Sequence, residues 1–132
     1  MKFSGILIGT DNPQRLKDYY TKLFGKPTWE MGGYFGWQFG DSGIAFGEHS
    51  EVKGKNSQPG RMIWNLEADD VKGEFEKLRR AGATVVREPY HMDDNDPGWI
   101  ATLADPDNNY FQLMTPMPEE MREEMERASA RS

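Results

Sequence analysis

The chain has 132 residues, of which 36% are apolar, so it is long enough for one domain or two small modules with a core. It contains no cysteine, which excludes disulfides, thiolate metal sites and a cysteine nucleophile and favours a cytoplasmic location. Its net charge of −6 argues against nucleic acid as a partner, and no apolar run approaches the roughly 20 residues of a membrane-spanning helix.

The first half of the chain is predicted to contain a strand, a helix and three more strands. Residues 3–9 form a short apolar run that is typical of a buried strand. Asn12 suits the N-cap of a helix and Pro13 its first position, while Gly25 ends it. The apolar stripe of this helix consists of Leu16, Tyr19, Tyr20, Leu23 and Phe24. Glycine-containing hairpin turns then separate three short strands at residues 28–31, 34–39 and 43–48.

The second half repeats this order after a polar segment, residues 50–59, that is predicted to be a linker. A strand at residues 61–67 precedes a helix that begins after Asp69 or Asp70 and ends at Gly82. The inward-facing residues of this helix are Val71, Phe75 and Leu78. Further strands are predicted at residues 83–90, 98–104 and 110–115.

The order βαβββ therefore occurs twice, which indicates an internal repeat of about 60 residues. We predict an α+β fold in which residues 1–116 form one domain made of modules 1–49 and 60–116. A single ferredoxin-like sandwich would not account for the six strands that follow the helices. Residues 117–132 are predicted to form a charged helix that either lies in solvent or contacts a second subunit.

Strand alternation predicts two different faces on these strands. One face is apolar and should pack under the helices; it consists of Ile6, Ile8, Met62, Trp64, Leu66, Phe111 and Leu113. The other face mixes small, polar and apolar residues, as a small-molecule pocket does. The candidate ligand-binding residues are Leu7, Trp37, Asn65, Trp99, Tyr110, Gln112 and Met114. Trp37 and Trp99 are included as stacking surfaces, although the sequence does not fix their faces.

Candidate acid–base groups are Glu67, on the mixed face, and the neighbours Glu48 and His49 at the end of a strand. Glu67 would need a desolvated position to act as a general base, and a solvated strand end is the alternative. Glu48 and His49 are expected to point to opposite faces because they are adjacent in a strand. His91 precedes the acidic run Asp93-Asp94-Asn95-Asp96, which is expected to be a solvated loop.

Three stretches resemble the vicinal oxygen chelate superfamily, which includes glyoxalase I, extradiol dioxygenases and bleomycin-resistance proteins. They are residues 8–25, residues 76–85 and residues 100–113, and the turn Asp105-Pro106-Asp107-Asn108 is the most specific part. The resemblance implies that each module curls into a cup and that the two cups form a partly open mixed sheet with the helices outside. It also implies a homodimer.

Metalloenzymes of this superfamily carry four His or Glu ligands on the inner faces of the strands. The resemblance places these positions at Gly5 or Ser4, at Ala45 or Phe46, at Ile63 and at Gln112. None of these residues is a carboxylate or an imidazole, and a divalent cation needs several such donors. We therefore expect neither a metal nor another cofactor.

The expected function is metal-independent binding of a small molecule, as in the antibiotic-sequestering members of the superfamily. The acidic balance suggests a cationic or aromatic ligand. The alternative is a glyoxalase-like lyase or isomerase, or a dioxygenase-type enzyme, that uses an acid–base carboxylate or a divergent metal site. A third class is an interaction module that works through its dimer surface and tail.

Overall fold

The structure, a computed structural model, describes residues 1–131, which form eight strands and three α-helices. The elements of the first half are β1 (Ile6–Thr10), α1 (Pro13–Phe24), β2 (Trp29–Met31), β3 (Tyr34–Phe39) and β4 (Ser42–Glu48). The elements of the second half are β5 (Ile63–Glu67), α2 (Val71–Arg80), β6 (Thr84–Tyr90), β7 (Ile100–Ala104) and β8 (Tyr110–Met114). Helix α3 (Glu119–Arg131) follows them.

The helix boundaries confirm the capping signals in the sequence. The side chain of Asn12 accepts a hydrogen bond from the backbone N–H of Arg15 at 3.1 Å, and Pro13 is the first residue of α1. Asp70 caps α2 in the same way, accepting from the N–H of Gly73 at 3.0 Å. Each cap satisfies one of the backbone donors that a helix start leaves unpaired.

The two halves have the same topology, which confirms the predicted repeat. The first sheet has the strand order β1-β4-β3-β2 and the second sheet has the order β5-β8-β7-β6. In each sheet the strand before the helix pairs in parallel with the last strand of its module, while the other pairs are antiparallel. The helical crossover is the connection that a parallel pair requires.

One core joins the two modules. Tyr20 of α1 is fully buried, and its ring lies 4.7 Å from the ring of Phe46 in the first sheet. The same ring lies 5.9 Å from the rings of Trp64 and Phe111 in the second sheet. Since a single helix residue contacts both sheets, the two modules bury their apolar faces together.

A buried hydrogen-bond network also ties the modules together. Asp107, in the turn before β8, accepts from the hydroxyl of Thr10 at 2.5 Å and pairs with Arg15. Asp105, in the same turn, accepts from the Tyr20 hydroxyl at 2.8 Å. Burial raises the pKa of Asp105 and raises the pKa of Tyr20 well above its ordinary value. The turn Asp105-Pro106-Asp107-Asn108 therefore connects the second module to β1 and α1 of the first.

The structure corrects two details of the predicted elements. Strand β5 begins at Ile63, because Pro59–Arg61 form a turn of 3-10 helix, and Met62 is consequently 65% exposed instead of packing under the helices. Strand β1 begins at Ile6, and Phe3 is 81% exposed. Within the described residues, no helix has the length and apolar character needed to cross a membrane.

Candidate functional site

The two sheets each keep one face free of the core helices, which we call the open face. On the first sheet Leu7 pairs with Ala45, which pairs with Gly36, which in turn pairs with Trp29. These four residues form a row across the open face. The row contains two small residues, Ala45 and Gly36, between the side chains of Leu7 and Trp29.

Two aromatic rings lie over glycines of the first sheet. A Cβ placed on Gly36 would lie 2.8 Å from the ring atoms Cε2 and Cζ2 of Trp29. A Cβ on Gly47 would lie 2.2 Å from Cδ1 of Tyr34. A larger residue in place of either glycine would therefore displace the ring that lies over it. Trp29 and Tyr34 remain 41% and 43% exposed, so their rings form part of the surface.

The open face of the second sheet carries larger and more polar side chains. Asn65 pairs with Gln112, and Gln112 pairs with Thr102. The amide of Gln112 donates to the hydroxyl of Thr102 at 3.2 Å, and Thr102 is buried. Tyr110 and Met114 lie on the same face, on either side of Gln112, and are half-buried. The predicted mixed face of the second sheet therefore exists as one surface.

A cleft of about 760 Å³ runs along the edge strands β1 and β5, where the two sheets meet. Leu7 and Gly9 of β1, Ile63 of β5 and Tyr110 of β8 line it. Of the candidate ligand-binding residues, the structure thus brings Leu7 and Tyr110 into the cleft. Asn65, Gln112 and Met114 lie on the same face of the second sheet but outside the lining of the cleft.

The structure removes both tryptophan candidates from the site. Trp37 is 3% exposed, and its indole N–H donates to the carbonyl of Gly25 at 2.9 Å beneath helix α1. Trp99 packs against the core, with the Lys72 ammonium 3.8 Å from the centroid of its ring and the His91 ring also at 3.8 Å. Both side chains therefore lie on the helix-covered side of their sheets and cannot stack on a ligand in the cleft.

The segment between the modules forms one wall of the cleft. Residues 51–58 line it, and Asn56 holds them in place: its N–H donates to the carbonyl of Asp107 at 2.7 Å and its carbonyl accepts from the side chain of Asn108 at 3.0 Å. The N–H of Gly54 donates to Asp11 at 2.8 Å. Sequence reasoning treated this polar segment as a spacer. The sequence contains the anchoring residues Asp11, Asn56 and Asn108, but they bond positions 43 and 52 residues apart in the chain, which local patterns do not predict.

The acid–base candidates are not assembled into one site. Glu67, at the end of β5, accepts a hydrogen bond from the N–H of Met117 at 3.1 Å and lies 3.8 Å from Arg122 of α3. Glu48 is exposed at the end of β4, and Nδ1 of His49 accepts from the N–H of Glu51 at 3.2 Å. Glu48 pairs with Thr10 at the end of β1, and Thr10 bonds Asp107 in the turn before β8. Because β8 is parallel to β5, this turn lies near the start of β5. Glu67, at the end of β5, is therefore at the opposite end of that strand from Glu48 and His49.

The strand registers place the positions that hold the metal ligands in the superfamily's metalloenzymes. Ala45 lies on the open face with Leu7, whereas Phe46 is fully buried, so the second position is Ala45. The set is then Gly5 or Ser4, Ala45, Ile63 and Gln112, which supplies one amide oxygen and, with Ser4, one hydroxyl oxygen. Residues 1–131 contain no group of three or more His, Cys, Asp or Glu side chains that could hold a metal ion. These residues do not fit the metal of the superfamily's enzymes.

Comparison with known proteins places the chain among proteins of this architecture. A family model described as a glyoxalase-like domain matches residues 5–114. No curated protein matches the chain.

Solved structures with the same fold share little sequence with the chain. A glyoxalase/bleomycin resistance protein from Albidiferax ferrireducens T118 is 17% identical, with a TM-score of 0.67 over 87% of this chain and 98% of that chain. A glyoxalase/bleomycin resistance protein/dioxygenase family enzyme from Burkholderia phytofirmans PsJN is 23% identical, with a TM-score of 0.65 over 86% and 98% of the two chains. The fosfomycin resistance protein FosX from Mesorhizobium loti is 16% identical, with a TM-score of 0.63 over 92% and 97%.

At these identities the likeness shows the fold alone, and the predicted α+β fold of two βαβββ modules is confirmed. The family model covers most of the chain, including both modules and the segment between them. The chain therefore belongs to the glyoxalase-like domain family and, with it, to the vicinal oxygen chelate superfamily.

Proposed function

We propose that the protein binds a small organic molecule without a metal, in the manner of the antibiotic-sequestering members of its superfamily. The observation that carries the proposal is the cleft itself, a volume of about 760 Å³ lined by Leu7, Ile63 and Tyr110. The four metal-ligand positions implied by the superfamily, of which Ile63 lines the cleft, carry no carboxylate or imidazole. A volume of this size is within the usual range of roughly 300–1,000 Å³ for small-molecule sites. Binding requires no metal donors, so their replacement is compatible with this function.

The walls of the cleft suit a ligand with an apolar or aromatic body. Leu7, 53% exposed, and Ile63 offer apolar surface from the two facing strands, and Tyr110 offers an aromatic ring with a polar end. Outside the lining of the cleft, Trp29 and Tyr34 add aromatic surface on the open face of the first sheet. Burial of an apolar ligand surface against these groups provides roughly 25 cal/mol for each Å² removed from water.

The test is equilibrium binding of the neutral fluorescent probe N-phenyl-1-naphthylamine to chelator-treated protein. Leu7→Glu places a charge in the apolar wall and should weaken binding about tenfold, since contact with one apolar side chain contributes roughly 1–2 kcal/mol. Phe3→Glu makes the same change at an exposed residue outside the cleft and should leave the affinity within twofold. Equal affinities for the wild type and Leu7→Glu would overturn the proposal.

The acid–base role of Glu67, Glu48 and His49 stays a prediction. If Glu67 were a general base, Glu67→Gln would abolish turnover of a substrate and preserve its binding. Its hydrogen bond to Met117 and its position near Arg122 instead suggest that it anchors the start of the tail.

The homodimer also stays a prediction, with α3 as the proposed contact. This helix has no buried residue, and Met121 and Met125 are 55% and 56% exposed on it. Light scattering should therefore give twice the subunit mass of 15.1 kDa, and Met121→Glu combined with Met125→Glu should reduce it to that of one subunit. A dimer unaffected by both changes would exclude α3 as the contact.

A further inference from the structure

The cleft has a charge opposite to that of the whole chain. The chain has 22 acidic and 16 basic residues and a net charge of −6. The charged residues that line the cleft are Glu51, Lys53, Lys55, Arg61 and Asp107. Three of these five side chains are cationic, so the overall composition does not predict the local charge.

The two carboxylates do not cancel this local positive charge. Asp107 is 3% exposed, accepts from Thr10 and is paired with Arg15, which itself does not line the cleft. Its charge is therefore already neutralised from the side of helix α1. Among the lining residues, Glu51 is then the one carboxylate against three cations. Counting Asp11 as well, whose carboxylate accepts from the N–H of Gly54 between the two lysines, the cleft keeps an excess of one positive charge.

The lysines are available to a ligand. Within the described residues, Lys53 and Lys55 take part in no hydrogen bond or ion pair through their side chains. Arg61, in contrast, is held by donating its guanidinium N–H groups to Oε1 of Gln58. The backbone that carries the lysines is fixed at Gly54, whose N–H bonds Asp11, and at Asn56, which bonds Asp107. Because the segment is already held, less ordering entropy opposes binding.

We infer that Lys53 and Lys55, together with Arg61 of the same cleft, form a subsite for the anionic group of an organic acid whose apolar body lies against Leu7, Ile63 and Tyr110. The anionic group is a carboxylate, sulfonate or phosphate. This inference rests on the proposed binding function and narrows its ligand class. An anionic ligand also differs from the cationic ligand expected from the net charge. Recognition depends on the charges in the cleft, because salt at 0.1 M screens charges that lie more than about 10 Å from the ligand.

The test uses two probes that differ by one anionic group. 8-Anilinonaphthalene-1-sulfonate has the rings of N-phenyl-1-naphthylamine plus a sulfonate. Removing both lysine charges, by Lys53→Gln with Lys55→Gln, should weaken binding of the sulfonate about five- to tenfold in dilute buffer, and less at high salt. The neutral probe should keep its affinity within twofold. As the matched control, Lys2→Gln with Lys26→Gln removes the same charge from residues outside the cleft and should change neither affinity.

The outcomes separate the two proposals. If the neutral probe is sensitive to Leu7→Glu but the sulfonate responds equally to both lysine pairs, the anion subsite is overturned and the binding function stands. If neither probe responds to Leu7→Glu, the cleft is not the binding site and both proposals fail. A sulfonate affinity that falls only in the Lys53 and Lys55 variant supports the subsite.

Discussion

The two sheets have the same strand order, the same pairing directions and equally apolar faces beneath the helices, yet their open faces differ. On the first sheet, Gly36, Ala45 and Gly47 leave room above the backbone, and the rings of Trp29 and Tyr34 lie across the glycines. On the second sheet, the corresponding surface is filled by larger side chains such as Gln112 and Thr102, which bond each other.

The two modules therefore share the core-facing pattern and differ on their open faces. The open face of the first sheet has small residues and exposed aromatic rings, and the open face of the second sheet has polar side chains. Their meeting edge, at β1 and β5, combines the two and forms the cleft. The positions that the superfamily's metalloenzymes use for ligands carry Gly5 or Ser4, Ala45, Ile63 and Gln112 here, none of which is a carboxylate or an imidazole.

The largest effect should come from breaking the network that holds the two sheets together. Asp105 accepts hydrogen bonds from the N–H groups of Asp107 and Asn109, from the side chain of Asn109 and from the hydroxyl of Tyr20. Asp105→Ala leaves these buried donors without an acceptor and should lower the free energy of unfolding by about 2–4 kcal/mol. Urea denaturation measures the loss.

The control for this variant is Asp93→Ala, which removes a carboxylate from an exposed loop and should change stability by less than about 1 kcal/mol. Similar losses for the two variants would show that the turn before β8 does not join the modules.

A smaller loss of stability should come from adding a side chain beneath the Trp29 ring on the first sheet. A Cβ on Gly36 would lie 2.6 Å from the carbonyl oxygen of Ile44 and 2.8 Å from the Trp29 ring. Gly36→Ala should therefore destabilise the protein by about 1–3 kcal/mol and displace the Trp29 ring, which tryptophan fluorescence would report. Gly60→Ala, where a Cβ meets no atom within 4 Å, is the matched control. If Gly36→Ala were as stable as Gly60→Ala, the Trp29 ring would not contact the backbone at Gly36.

The smallest effect concerns the pH dependence of the contact between α1 and the second sheet. The Tyr19 hydroxyl donates to the carbonyl of Ala104 at 2.6 Å and accepts from the N–H of Thr84 at 3.1 Å, and burial raises the pKa of Tyr19 from 10.0 to about 12. Between these values the folded chain keeps a proton that the unfolded chain has lost. The stability contributed by this proton is complete below pH 10 and is lost as the pH rises towards 12.

Tyr19→Phe lacks this contribution, so its stability should fall less steeply over that range. The difference in stability between wild type and variant, measured by denaturation at pH 9 and pH 11, should shrink at the higher pH. A constant difference would mean that the hydroxyl titrates alike in the folded and unfolded chains.

The sequence predicted those parts of the molecule that depend on local patterns. The N-caps at Asn12 and Asp70 and the alternation in β5 and β8 all rest on neighbours in the chain. The faces of Trp37 and Trp99 could not be predicted, because they depend on the register of strands whose ends the sequence leaves open. The cleft wall was missed since its anchor, Asn56, bonds Asp107 far along the chain.

Metal-independent binding of a small organic molecule is best tested by thermal unfolding of chelator-stripped protein, alone and with Ni²⁺, Zn²⁺, Mn²⁺, Fe²⁺ or 8-anilinonaphthalene-1-sulfonate. A ligand at a hundredfold excess over its Kd stabilises the native state by about 2.7 kcal/mol, which raises the Tm of a chain of this size by several degrees. We expect the sulfonate to raise the Tm and each metal ion to leave it unchanged. A saturable increase with one metal ion per subunit, and none with the sulfonate, would contradict this expectation.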